Sequence, residues 1–195
     1  MIPTPSRTAV LRFAFVATFL VSSAALAGPK EDMVAMSKKF LSLRSYHVTL
    51  INSDKRVPKT EMDFVAPDRY RIDMPPMGEQ HMIGDTLYMT VDGRSMRMPM
   101  PKGMMTQWRE PTRVFREVEK MQVEALGADT VNGKPTKKYR FSQTGATAVS
   151  TLMWVGADGY PVKMETTGGV GKRASTVTVF YSRYNDPSIK IDLPK

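Results

Sequence analysis

No cysteine occurs anywhere in the chain. This excludes disulfide bridges, a thiolate nucleophile, cysteine-bound zinc and the acylated cysteine of a lipid-anchored lipoprotein. Histidine is almost as scarce, with only His47 and His81. No Gly-x-Ser-x-Gly elbow, phosphate-binding loop or zinc-ligand spacing is present, so the sequence argues against an enzyme. His47 falls on a candidate strand beside Thr49 and reads as a surface or edge residue. The acidic residues are scattered, and spacing pairs no two of them. No apolar run reaches the ~20 residues that a membrane-spanning helix needs. There is no long linker, internal repeat or low-complexity segment, and no nucleic-acid motif accompanies the dispersed basic residues.

What is present begins with an export signal. Arg7 and Arg12 lead into an uncharged, mostly apolar stretch from Phe13 to Ala25. Ala25-Leu26-Ala27 then places small residues at the −3 and −1 positions of a cleavage site. Residues 1–27 are expected to be removed, leaving Gly28 to Lys195 as a single domain in the periplasm, soluble and not lipid-anchored. The formal charge of +9 is spread along the chain. It suits acidic partners or anionic headgroups, and equally plain solubility.

Hydrophobic periodicity then changes once. Met33, Met36, Phe40 and Leu43 share one face of a helix expected over Glu31 to Leu43, with Glu31 and Asp32 early and Lys38 and Lys39 late. From Tyr46 the period is two. Tyr46/Val48/Leu50, Met62/Phe64, Tyr70/Ile72/Met74 and Leu87/Met89/Val91 each mark a strand with one apolar face. Pro99 to Pro111 reads as a loop carrying Met104, Met105 and Trp108. A short helix with Val114, Phe115 and Val118 follows and ends near Lys120. Strands are expected again over Val123–Leu126, Lys137–Phe141, Val149–Val155, Val162–Thr166 and Ser175–Tyr184. Asn132-Gly133, Asp158-Gly159 and Gly168-Gly169 supply turns. Two late strands are apolar on both faces, with Leu152 and Trp154 opposite Val149, Met153 and Val155. Either helices cover the second face or the sheet curls around something apolar.

Methionine is the compositional oddity, with 16 in all and a cluster from Met74 to Met105. Core filling, a deformable apolar site and copper(I) ligation by thioethers all fit it. The copper(I) set would be Met96, Met98 and Met100, alternating on one side of a strand, with His81 and Met82.

Several segments resemble the LolA/LolB-like superfamily of periplasmic lipoprotein carriers. They are Phe40-Leu41-Ser42-Leu43-Arg44-Ser45-Tyr46 after the helix, the hairpin Phe64-Val65-Ala66-Pro67-Asp68-Arg69-Tyr70-Arg71, and Gly84-Asp85-Thr86-Leu87-Tyr88-Met89. Trp154-Val155 through Gly159-Tyr160-Pro161-Val162-Lys163 and the close at Tyr184-Asn185-Asp186-Pro187 to Pro194 complete the pattern. The resemblance implies an α+β, mainly β fold: an open half-barrel of curved antiparallel sheet with helices covering its concave face. It implies a non-catalytic carrier of lipid or acylated lipoprotein, without cofactor or metal, monomeric, without nucleic-acid partners and able to meet envelope membrane proteins. The apolar lining would be Met62, Phe64, Tyr70, Ile72, Met74, Leu87, Met89, Met96, Met98, Met153, Val162 and Met164, with Met104, Met105 and Trp108 at the gate. An envelope sensor or scaffold on the same fold is the other outcome. The family's carriers have an arginine before the hairpin proline that helps hold a lid closed. Here that position is Ala66, with Arg69 and Arg71 nearby, so the resemblance speaks for apolar-ligand binding more directly than for a full shuttling cycle.

Overall fold

The structure is a computed structural model, described for residues 28–54, 56, 59–75, 77–91, 94–100, 118, 120–142, 150–168 and 175–193. The expected leader 1–27, the gate residues Met104, Met105 and Trp108, the helix residues Val114 and Phe115, and Val149 lie outside the described residues.

Helix α1 spans Pro29–Leu41. Proline at its start, Glu31 and Asp32 in the first turn and Lys38 and Lys39 in the last all agree with the helix dipole. Met33, Met36 and Phe40 are buried along one side, and Leu43 just beyond the helix is buried with them. Each such burial stabilises by about 2 kcal/mol.

Eleven strands follow: β1 (Ser45–Asn52), β2 (Thr60–Val65), β3 (Arg69–Met74), β4 (Gly78–Ile83), β5 (Thr86–Val91), β6 (Arg94–Pro99), β7 (Gln122–Val131), β8 (Lys134–Ser142), β9 (Ser150–Gly156), β10 (Pro161–Gly168) and β11 (Ser175–Ser182). All pairings are antiparallel, in one sheet ordered β6-β5-β4-β3-β2-β1-β11-β10-β9-β8-β7. The chain meanders outward from β1 to the β6 edge, restarts at the β7 edge and meanders back, so that β11 docks beside β1. β6 and β7 do not pair, which leaves the sheet open. A 13-residue helix is about 20 Å long. Yet α1 reaches both β7 and the β1–β11 centre, where Phe40 meets Tyr46 and Tyr181 with ring centroids 4.9 and 5.5 Å away. The sheet therefore wraps around the helix, and its α1 side is concave.

Hairpin chemistry sets the register. Asn132 (φ 50°) and Gly133 (φ 75°) join β7 to β8, the two positive φ values that a tight hairpin turn demands. Bulges at Ala125/Gly127 and Pro161/Lys163 add twist where the sheet curls.

The expected half-barrel is present as one open sheet. The expected cover of two helical segments reduces, among the described residues, to α1, because the second falls almost entirely outside them. Among the described residues no helix is long and apolar enough to cross a membrane.

Candidate functional site: the inner face of the sheet

Because directly opposed residues share a face, the register sorts every strand. One row runs Val48, Met62, Ile72, Gln80, Met89, Met96 from β1 to β6. The row beside it runs Tyr46, Phe64, Tyr70, Met82, Leu87, Met98. On the other side of β1, Val179, Met164, Met153 and Tyr139 continue the same face. Of the expected lining residues, Met62, Phe64, Tyr70, Ile72, Met74, Leu87, Met89, Met96, Met98, Met153 and Met164 thus share one surface. Val162 does not join their register: it occupies the β10 bulge, between Pro161 and Lys163.

That surface has two states. Around α1 it is a packed core: Met33, Met36, Phe40, Leu43, Tyr46, Val48, Tyr139, Phe141, Met153, Val155 and Val179 form one buried cluster. An aromatic run leads out of it, with Tyr46–Phe64 centroids 4.8 Å and Phe64–Tyr70 centroids 5.1 Å apart. Tyr70 and Met82 seed a second, smaller cluster with Met62, Phe64, Ile72, Leu87 and Met100. Beyond it burial fades, until Met98 and Met96 are 39% and 47% exposed. Apolar side chains that face inward and stay accessible are what a hydrophobic ligand site needs.

The tyrosines in the covered half are held neutral. Burial, then the neighbouring tyrosines, pushes the Tyr46 hydroxyl well above its ordinary value, and burial alone pushes Tyr181 up to about 12. Burial and then the Asp32 carboxylate raise Tyr139, whose hydroxyl donates to Asp32 Oδ2 at 2.8 Å. This last pair walls a separate cleft of about 430 Å³ between α1 and the β8–β9 end, with Met33, Met36 and Val155 as floor and Lys39 and Lys137 at the rim. The cleft has charged walls and belongs to the covered half. The β3–β6 face is apolar with a single amide in its main row.

The outer face carries a polar network that sequence spacing did not reveal. His47 lies on the central strand β1, half-buried, not at an edge. Its Nδ1 is 2.7 Å from Asp63 Oδ1 and its Nε2 3.0 Å from Glu61 Oε2. Thr49 donates to Glu61 at 2.6 Å, Lys59 pairs with Glu61, and Arg71 pairs with Asp63. Burial would raise the Asp63 carboxyl, but hydrogen bonds from His47 and Arg71 outweigh it and hold the group below its ordinary value. The signal was there in Glu61-x-Asp63 facing His47-x-Thr49 across a hairpin, legible only once the register is known.

The same sorting places Arg69, Arg71 and His81. Arg69 and Arg71, near Ala66, both face outward: Arg69 donates to Ile191 O and Arg71 is held by Asp63, so neither stands in for a lid arginine. His81 is also outward, against Glu79 Oε1 at 2.7 Å and Asp192 O at 3.2 Å. It cannot join Met82, Met96, Met98 and Met100 around one copper(I) ion. Among the described residues no group of three or more His, Asp or Glu side chains is placed to hold a metal.

Trp154 explains the strand that is apolar on both faces. It points outward, where Lys138 and Lys163 lie 4.7 and 4.4 Å from its ring and its indole N–H donates to Asp129 at 2.8 Å. Lysine stems cover Trp154 on this second face.

No protein-family model matches the chain, and no curated protein matches it in sequence. Solved structures do. The Mycobacterium tuberculosis lipoprotein LppX aligns with 84% of this chain and 96% of its own, at 14% identity and TM-score 0.62. LprF from Mycobacterium bovis aligns with 86% and 96%, at 15% identity and TM-score 0.62. MucB aligns with 84% of this chain and 60% of its own, at 11% identity and TM-score 0.51. At these identities the likeness establishes the fold alone: the chain has the fold of LppX and LprF.

Proposed function

We propose that the processed chain is an exported, non-catalytic binding protein that holds acyl chains of a lipid or lipoprotein against the β3–β6 half of its inner face. The observation that carries this reading is the gradient along that face. Inward methionines and leucine lead from the buried Tyr70–Met82 cluster to the half-exposed edge at Met96 and Met98. An accessible apolar face is costly in water, and covering it with an acyl chain gains about 0.8 kcal/mol per buried CH₂. Methionine's flexible, polarizable side chain lets one wall fit chains of mixed shape. The leader 1–27 would deliver the protein to the periplasm, and the lack of cysteine leaves it free of a lipid anchor. LppX, described as a lipoprotein, shares the fold, which agrees with an envelope setting. The test is titration of the purified 28–195 chain with a fluorescent fatty-acyl probe. Saturable binding displaced by phospholipid or lipopeptide is expected; no saturable binding by any acylated ligand refutes the reading.

A further inference from the structure

Between Val48 and Met96 the inner-face row is apolar except at Gln80. Gln80 is 8% exposed, and its Nε2 is buried without a hydrogen-bond partner. Ile72 and Met89 flank it across the strands, and Met82 follows it along β4. A buried amide donor with nothing to donate to is expensive to keep, and an apolar residue would fill the row without that cost. Among the described residues the other buried side-chain atoms without partners, Ser37 Oγ and Thr136 Oγ1, are hydroxyls on α1 and β8, away from the open half.

We infer that Gln80 donates a hydrogen bond to a neutral carbonyl of the bound ligand, so that the site takes ester- or amide-linked acyl chains in preference to free fatty acids or bare hydrocarbon. The inference rests on the acyl-binding reading and names its ligand class. The acceptor is neutral because, among the described residues, the surroundings hold no countercharge. Arg69, Arg71 and His81 on β3 and β4 all face outward and are engaged there. Arg94, which shares the inward register of Met96, sits at the exposed start of β6, at the rim. A carboxylate or phosphate drawn in beside Gln80 would be buried among thioethers and aliphatic groups, which anions avoid. An ester or amide carbonyl brings an acceptor at little desolvation cost and satisfies the orphan N–H.

The test displaces the methyl ester of dansyl-labelled undecanoic acid from the 28–195 chain with methyl palmitate, hexadecyl methyl ether or palmitate at neutral pH. The ester is expected to displace at about ten-fold lower concentration than the ether, with palmitate weaker than the ester. In Gln80→Leu the ester and ether should coincide, with the ether no weaker than in the wild type. Equal potency of ester and ether in the wild type, palmitate as potent as the ester, or a preference that survives Gln80→Leu would each overturn the inference while leaving acyl binding intact. Failure of the probe itself to bind would overturn both.

Discussion

Met153 on β9 and Met89 on β5 are the same residue on the same face of the same sheet, each with a strand paired on either side. Met153 lies between Met164 and Tyr139, is buried, and belongs to the cluster that α1 fills. Met89 lies between Gln80 and Met96 and is only half-buried. The alternation that makes a strand amphipathic is equal in the two halves. What differs is the cover. α1 brings Met33, Met36 and Phe40 to one half, where the apolar side chains become core. The other half ends in accessible methionines. An apolar face therefore becomes core where a helix packs on it, and among the described residues α1 covers only one half of the sheet.

The comparison can be broken most forcefully at α1. Phe40→Ala removes the ring that bridges Tyr46 and Tyr181, and should cost about 3–5 kcal/mol in denaturant unfolding. A cost below about 1 kcal/mol would mean that α1 does not anchor the covered half. The same exchange made in each half sharpens the contrast. Met153→Ser should cost about 2–4 kcal/mol. Met89→Ser should stay within about 1 kcal/mol of wild-type stability while weakening acyl-probe binding several-fold. Equal stability losses would erase the distinction between the halves.

Between β1 and β3, Asp63 on β2 holds both His47 and Arg71. Its carboxyl lies below the usual value of about 3.9, so its contribution is full at neutral pH and is lost as pH falls through the folded value. Asp63→Asn should therefore lower the urea midpoint at pH 7, by about 2 kcal/mol of stability, and flatten its decline as the pH falls below the ordinary carboxylate range. An unchanged acid slope would show that other carboxylates carry it. The smallest effect is expected on the outer face. Lys163→Ala removes one of the two ammonium groups over Trp154 and should cost about 0.5–1 kcal/mol, with a red-shifted indole emission.

Much of this fold is legible in the sequence, because a period of 3.6 followed by a period of two marks α1 and most strands. β4 is the clearest loss. Its inward positions are Gln80 and Met82 and its outward ones Glu79, His81 and Ile83, so no alternation of apolar and polar residues announces it. The residue that hides the strand is Gln80, the buried amide without a hydrogen-bond partner. β6 shows its methionine alternation, but Pro99 reads as a break. In the structure Pro99 closes an edge strand, and Met100 makes the backbone hydrogen bond to Asp85, so the missing N–H breaks no pairing. Val162 is misplaced because a bulge shifts the alternation, and no spacing rule foretells a bulge. The His47–Asp63–Arg71 network depends on which strands pair, information that lies in the fold and not in local sequence.

The central claim, that the open half is the ligand wall and the covered half is not, is tested most directly by photocrosslinking. A fatty-acyl ester with a diazirine in its chain would be bound to the 28–195 chain, irradiated and mapped by peptide mass spectrometry. Adducts are expected on β3–β6, at Ile72, Met82, Leu87, Met89, Met96 and Met98, and should be competed away by phospholipid. Adducts confined to the α1 cleft around Lys39 and Lys137, or to the outer face near Trp154, would contradict the account.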